Sequence, residues 1–146
     1  MFFELAENSL ICHISEFPVG TYKKAHRHDA GANVVLLGGT GYSLLWAEGQ
    51  PRMKIDWHER SMFVPPNMWF HQHFNTGPEP ARYLAIRFGS MKFPIGKSFG
   101  VDESLKSGGS QIEYEDEDPE IRALYEAELA KKGVKIQMPP TGKSKG

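Results

Sequence analysis

The stretch "GTYKKAHRHDAGANVVLLGG" (residues 20–39) places two histidines, His26 and His28, between a glycine and a run of apolar residues. In an extended chain, side chains two positions apart point to the same side. The two imidazoles can therefore share one metal ion, which binds a histidine nitrogen at about 2 Å. This spacing predicts part of a metal site and an extended backbone that presents it.

A second pair with the same spacing lies in "PPNMWFHQHFN" (residues 65–75), where His71 and His73 are followed by Asn75 on the same side of a predicted strand. A single His-x-His pair more often consists of two surface histidines without a shared role than of two metal ligands. Two such pairs on separate strands of one chain, each beside turn residues, favour the metal site.

The rest of the first ninety residues has the pattern of an all-β protein. Short apolar runs are separated by turn residues such as "GGTG" (38–41) and "EGQPR" (48–52), where glycine supplies positive φ at no steric cost. Strands this short and this closely spaced are typical of a sandwich or barrel. The predicted strands are 10–14, 33–37, 42–47, 53–57, 61–64 and 83–88.

After residue 89 the composition changes. We predict one β-barrel domain over residues 1–96 and a C-terminal extension over 97–146, with a flexible loop at "KSGGS" (106–110) and a frayed tail at "TGKSKG" (141–146). A helix is expected at about 119–132, because Asp118 can cap it and Pro119 suits its first turn. Its apolar stripe consists of Ile121, Leu124, Tyr125 and Leu129.

Charge and composition exclude several partners. The net charge is −1, so we expect no attraction to nucleic acid or to an anionic membrane surface. No apolar run reaches the roughly 20 residues of a membrane span, and the first ten residues lack the basic start of a signal peptide. Cys12 is the only cysteine, which rules out an internal disulfide. These features predict a cytoplasmic protein.

The two histidine stretches together resemble the motifs of the cupin superfamily, over roughly residues 8 to 90. The matching positions are Gly20, His26, His28 and Gly39 in the first motif and Pro66, His71 and Asn75 in the second. The resemblance implies a small jelly-roll β-barrel with a divalent metal held inside it by His26, His28 and His71.

The chain departs from the common cupin pattern at the glutamate ligand, where Ala32 stands; Asn33 would take that position only if the register slipped by one. Three histidines without an acidic ligand resemble the gentisate and salicylate dioxygenase branch, which implies Fe(II) and O2. Three imidazoles also accept Mn, Ni, Cu, Co or Zn. Val34 stands where that branch has its substrate-binding arginine, so another arginine must hold an anionic substrate, or the substrate is not gentisate.

We predict roles for six further residues. His73 is expected beside the metal as an acid or base or as a structural hydrogen-bonding partner, and Tyr42 as a proton donor. Asn75 either contacts substrate or fixes a turn. The remaining predicted substrate-binding residues are Arg82, Arg87 and Trp46.

Three functions remain open from the sequence. The first is an Fe(II)-dependent dioxygenase acting on a small aromatic or carbonyl/carboxylate substrate. The second is an oxygen-independent metal-dependent lyase or isomerase, in which Tyr42 or His73 moves the proton. The third is a non-catalytic module that binds a small ligand. By analogy with cupins, we also expect a homodimer.

Overall fold

A computed structural model describes residues 1–4, 8–29, 31–89, 92 and 103–140 of the chain. Its strands form two antiparallel sheets, one with the order β1-β2-β8-β3-β6 and one with the order β5-β4-β7. A single α-helix, α1, follows the strands in the described part of the chain. The elements are β1 (Phe2–Glu4), β2 (Leu10–Phe17), β3 (Asn33–Gly38), β4 (Gly41–Trp46), β5 (Met53–Trp57), β6 (Met62–Phe63), β7 (Phe70–Asn75), β8 (Ala81–Phe88) and α1 (Pro119–Lys131).

This architecture confirms the predicted all-β jelly-roll, as two facing sheets that do not close into a barrel in the described residues. Strand β1 was not predicted, because three residues give too short a pattern. It pairs with β2, which extends three residues beyond its predicted end. Strand β6 has two residues where four were expected.

The space between the sheets is filled by alternate residues of facing strands. Phe17, Val34, Trp57 and Tyr83 are each no more than 5% exposed and belong to one apolar cluster. All six residues of β4 and all six of β7 are buried, although they alternate between the two faces of their sheet. Both faces of this sheet must therefore be covered, one by the opposite sheet and one by the C-terminal extension.

Helix α1 supplies the cover on the outer face of the three-stranded sheet. The Asp118 side chain accepts a hydrogen bond from the backbone N–H of Glu120 at 3.0 Å, as expected of a helix cap. Ile121, Tyr125 and Leu129 are buried, and the partly buried Leu124 packs against the same cluster. The predicted stripe therefore packs on its own chain.

The prediction of a flexible loop at 106–110 is wrong. Leu105–Ser107 form a 3-10 turn, and Ser110 and Ile112 make backbone hydrogen bonds with Arg27 and Ala25. Glycine in this stretch serves a tight turn, since a Cβ at Gly109 would collide with the backbone of Glu103. The predicted domain boundary at 96/97 and the predicted frayed tail lie outside the described residues. No helix in the described residues is long and apolar enough to cross a membrane.

Candidate metal site

The metal-ligand candidates are presented by β7 and by the extended segment that runs beside it. His26 and His71 form an isolated antiparallel bridge. The backbone nitrogen of His26 lies 3.1 Å from His71 O, and that of His71 lies 2.9 Å from His26 O. On its other side the segment bonds to the C-terminal extension, from Arg27 N to Ser110 O at 3.1 Å and from Ile112 N to Ala25 O at 2.8 Å. The stretch around His26 makes bridges here and not a continuous strand.

Three histidines converge between the sheets. One ring nitrogen from each of His26, His28 and His71 lies within 4.8 Å of the other two. The ring centroids of His26 and His71 are 4.4 Å apart, and those of His28 and His71 are 4.9 Å apart. The structure thus brings together the three side chains that the motifs predict as ligands.

Backbone carbonyls orient all three rings in the same way. The Nδ1 atom of His26 lies 3.3 Å from Lys24 O, that of His28 lies 3.2 Å from Asp29 O, and that of His71 lies 3.1 Å from Trp69 O. A carbonyl oxygen can only accept, so each Nδ1 carries the proton. The lone pair of each ring then resides on Nε2, which is the arrangement found when histidines bind a metal.

The surroundings of His71 and His28 disfavour their charged forms. Burial, and then the neighbouring His26, His73 and His28, hold the pKa of His71 well below its ordinary value. Burial also lowers the pKa of His28. A metal needs a neutral imidazole, and these lowered pKa values favour that form of His71 and His28.

No acidic residue joins the group within the described part of the chain. Ala32 is 5% exposed and packs in the core between the sheets, whereas Asn33 is exposed on the opposite face of β3. The register therefore directs Ala32, and not Asn33, toward the interior. The position of the usual glutamate ligand holds a methyl group.

The residues present fit a divalent cation. Three nitrogens that bind one ion at about 2.1 Å lie about 3.0 to 3.6 Å from one another, so a pair at the 4.8 Å limit has to approach by roughly 1.2 to 1.8 Å when the ion binds. The cluster could hold such an ion with three neutral donors, leaving its other coordination positions open.

His73 lies inside the structure next to the cluster but is not one of its members. Its ring centroid is 5.7 Å from that of His71. Its Nδ1 is 2.8 Å from Ser43 Oγ, which also accepts a hydrogen bond from Trp57 Nε1 at 3.0 Å. Since the indole can only donate, the Ser43 proton is available to His73. Burial holds the pKa of His73 well below its ordinary value.

Two predicted site residues lie on the opposite face of the sheet from the histidines. Tyr42 pairs with Phe74 and stacks on its ring at 4.5 Å, under the C-terminal helix. Trp46 stacks on Phe70 in the same cluster. The expectation that the Tyr42 phenol lies near the metal is therefore wrong. Its neighbour Ser43 pairs with His73, and adjacent residues of a strand point to opposite faces. Burial raises the pKa of Tyr42.

Two more predicted substrate contacts have other partners. The Asn75 amide donates to Pro18 O at 3.1 Å and to Glu79 O at 2.8 Å, and its oxygen accepts from Gly77 N at 3.0 Å. Both the nitrogen and the oxygen of the Asn75 side chain are thus hydrogen-bonded, to the turn that follows β7 and to the chain after β2. Arg82 projects from the outer face of β8, is exposed, and forms an ion pair with Glu16.

Arg87 is the predicted arginine that faces the interior. It shares the inner face of β8 with the buried residues Ala81, Tyr83 and Ala85, and its charge contributes to lowering the pKa of His28. Sequence analysis missed two further interior groups, His13 and Lys23. His13 lies four positions before the apolar Phe17 on β2, so the two side chains share one face, and this spacing could have indicated that His13 points inward.

Comparison with solved structures finds cupin-fold proteins. A cupin 2 conserved barrel domain protein from Rhodopseudomonas palustris has a TM-score of 0.52 at 21% identity, over 60% of this chain and 57% of that chain. The cupin domain of Cnp3 from Schizosaccharomyces pombe has a TM-score of 0.53 at 16% identity, over 62% of this chain and 63% of that one. An oxalate decarboxylase from Bacillus subtilis has a TM-score of 0.53 at 16% identity, over 56% of this chain and 22% of that one.

These similarities establish a cupin-type jelly-roll fold. The chain spans less than two thirds of the length of each of these three structures. Comparison with protein-family models gives no match, and comparison with curated protein sequences gives no significant match.

Proposed function

We propose that this protein is a metal-dependent enzyme that holds Fe(II) with His26, His28 and His71 and uses O2 to oxidise a small aromatic or carbonyl/carboxylate substrate. The observation that carries the proposal is the convergence of three carbonyl-oriented imidazoles with Ala32 in place of an acidic ligand. A neutral donor set leaves the full positive charge on a bound divalent ion. Such an ion supplies Lewis acidity, open coordination positions and, in the case of iron, redox chemistry.

The chain's own residues provide orientation and a water-poor environment. The three backbone carbonyls hold the Nδ1 side of each ring, which lowers the cost of ordering the rings when the ion binds. Phe17, Trp57 and Tyr83 restrict water between the sheets. His73 is close enough to hold or transfer a proton through its bond to Ser43.

The placement of Tyr42 favours the oxygenase over the lyase or isomerase. A reaction without O2 requires a side chain that moves a proton at the substrate, and Tyr42 lies beyond the sheet from the cluster. His73 then remains as the proton carrier, with a pKa held well below its ordinary value. An Fe(II) oxygenase depends less on such a group.

The test begins with anaerobic reconstitution. The purified protein, a His71→Ala variant and a His58→Ala control are loaded with Fe(II), desalted and analysed for metal. His58 is exposed in a turn and does not belong to the cluster. We expect about one iron per chain in the wild type and the control, and loss of iron in His71→Ala. Oxygen uptake is then measured over a panel of phenolic acids, thiols and diketones.

The outcomes separate the candidate functions. Substrate-dependent oxygen consumption by the wild type, absent in His71→Ala, supports the oxygenase. Stoichiometric metal with substrate turnover but no oxygen consumption supports the lyase or isomerase. Ligand binding without turnover supports a binding module, and absence of metal in the wild type would refute the site.

A further inference from the structure

The cations of the described residues differ in whether a carboxylate pairs with them. Most of those in the described residues form an ion pair with a carboxylate, as Arg27 does with Glu48 at 2.7 Å and Arg52 with Asp118 at 2.6 Å. Lys23 and Arg87 form no ion pair within the described part of the chain, although both point between the sheets.

Strand register places these two cations near each other. On the paired strands β2 and β8, Ile11 lies opposite Arg87, His13 opposite Ala85 and Ser15 opposite Tyr83. Ala85 and Tyr83 are buried, so Arg87 and His13 share the inner face with them. Lys23 reaches the same place, since its Nζ lies 3.2 Å from the Tyr83 hydroxyl and 4.8 Å from the centre of its ring.

Two buried polar atoms at this place have no partner. Both the Nε of Arg87 and the Nδ1 of His13 are buried without a hydrogen bond in the described structure. A buried polar atom without a hydrogen-bond partner is costly, and such atoms recur where a ligand completes them. The pKa of His13 is lowered to about 4 by burial and then by the charges of Lys23 and Arg87, which requires both cations to lie near this ring.

The cation group adjoins the histidine cluster. The rings of His13, Tyr83, His73 and His71 follow one another at centroid distances of 6.0, 5.2 and 5.7 Å. The charge of Arg87 also reaches His28. An anion held by these cations would therefore have its remaining atoms directed toward the three histidines.

We propose that Arg87 and Lys23 form the binding subsite for the carboxylate group of a small organic acid, the substrate of the histidine site. The Nε and terminal N–H groups of an arginine match the two oxygens of a carboxylate, and lysine adds a second charge. The neighbouring Phe17 and Tyr83 rings suit the carbon skeleton. Which part of the organic acid reacts at the three histidines depends on the proposed function.

Binding to the Zn(II)-loaded protein tests this subsite without any turnover. Benzoate, salicylate and pyruvate are titrated by calorimetry, each beside its neutral amide, and inorganic phosphate serves as a competing anion. The variants are Arg87→Gln, Lys23→Met and Arg87→Lys. Arg82→Gln is the matched control, because it removes an arginine from the outer face of the same strand. Melting temperatures verify that each variant is folded.

We expect at least one carboxylate to bind the wild type at least tenfold more tightly than its amide, with a loss of about tenfold or more in Arg87→Gln and Lys23→Met. Arg87→Lys should retain part of the affinity and Arg82→Gln all of it. The proposal is overturned if no carboxylate binds, if the amides or phosphate bind as tightly, or if the interior variants bind like the control.

The same titration of the metal-free wild type and of His71→Ala separates this proposal from the proposed function. Carboxylate binding by both, together with a wild type that takes up no iron, would support the subsite while the metal chemistry fails. Stoichiometric iron in the wild type with no carboxylate binding would refute the subsite alone.

Discussion

Asn75 illustrates how a motif residue can serve the fold. Its buried amide bonds to Gly77 and Glu79 within one turn and to Pro18, which follows β2. Replacing it with alanine leaves those groups without their partner, so we expect Asn75→Ala to lower the free energy of unfolding by about 2 to 4 kcal/mol. Urea denaturation measures this loss, with Asn33→Ala, on an exposed position of β3, as the control. Equal stability of the two variants would contradict a structural role.

The interior histidines make stability depend on pH. His13 has its pKa lowered from 6.5 to about 4 in the folded protein, chiefly by burial. Between these values the unfolded chain binds a proton that the folded chain does not, so the stability of the metal-free protein falls as the pH falls through this window. The lowered pKa values of His28, His71 and His73 act in the same direction.

A variant isolates the contribution of His13 to this pH dependence of stability. We expect His13→Gln to unfold with a shallower pH dependence than the wild type between about pH 6.5 and 4, because one proton-linked group has been removed. Thermal unfolding in the presence of a chelator measures both slopes. His58→Gln, in an exposed turn, should keep the wild-type slope. Identical slopes for His13→Gln and the wild type would exclude His13 as a contributor.

At the scale of elements, the C-terminal extension holds the backbone of a predicted ligand. The segment around His26 is bonded to β7 on one side and to residues 110–112 on the other. The turn that sets up this contact passes through Gly109, where a Cβ would collide with Glu103. The extension is therefore part of the site and not an appendage to it.

Gly109→Ala should weaken metal binding without contacting the metal. The displaced turn loosens the backbone of His26, and loss of support around a ligand typically costs about 10 to 100-fold in affinity. Competition with a chromophoric chelator for Zn(II) measures the change. Gly38→Ala, where a Cβ meets open space, is the control and should retain wild-type affinity. Unchanged affinity in Gly109→Ala would show that the contact is dispensable.

Strand pairing marks the limit of what the sequence could predict. The His-x-His spacing sufficed for the cluster, because it depends only on alternation within a stretch. The face on which Tyr42 lies depends on strand register. Tyr42 pairs with Phe74 of β7, and it would share a face with the histidines only if it paired with His73. The inward direction of Lys23 and Arg87 likewise follows from registers that one sequence does not reveal. The loop at 106–110 was misjudged because glycine marks both flexible linkers and tight turns.

At the scale of the whole molecule, the outer face of the five-stranded sheet is the candidate surface for association among the described residues. Helix α1 is packed on its own chain and offers no stripe to a partner. The outer face of the five-stranded sheet is largely apolar near its centre, where Ile14, Leu84 and Val35 lie side by side. At its periphery, Met62 is 66% exposed and Phe88 is 46% exposed. An apolar sheet face of this kind is the natural contact for a second copy of the chain.

We therefore expect a homodimer joined through this face, and a charge at its centre should dissociate it. Leu84→Glu would bury a carboxylate in the interface, at a cost of several kcal/mol. Sedimentation velocity over a range of concentrations should give a dimer for the wild type and a monomer for Leu84→Glu. Met53→Glu introduces the same charge at a residue that is 52% exposed on the other sheet, and this control should remain dimeric. A monomeric wild type, or dissociation by Met53→Glu, would assign the interface elsewhere or exclude it.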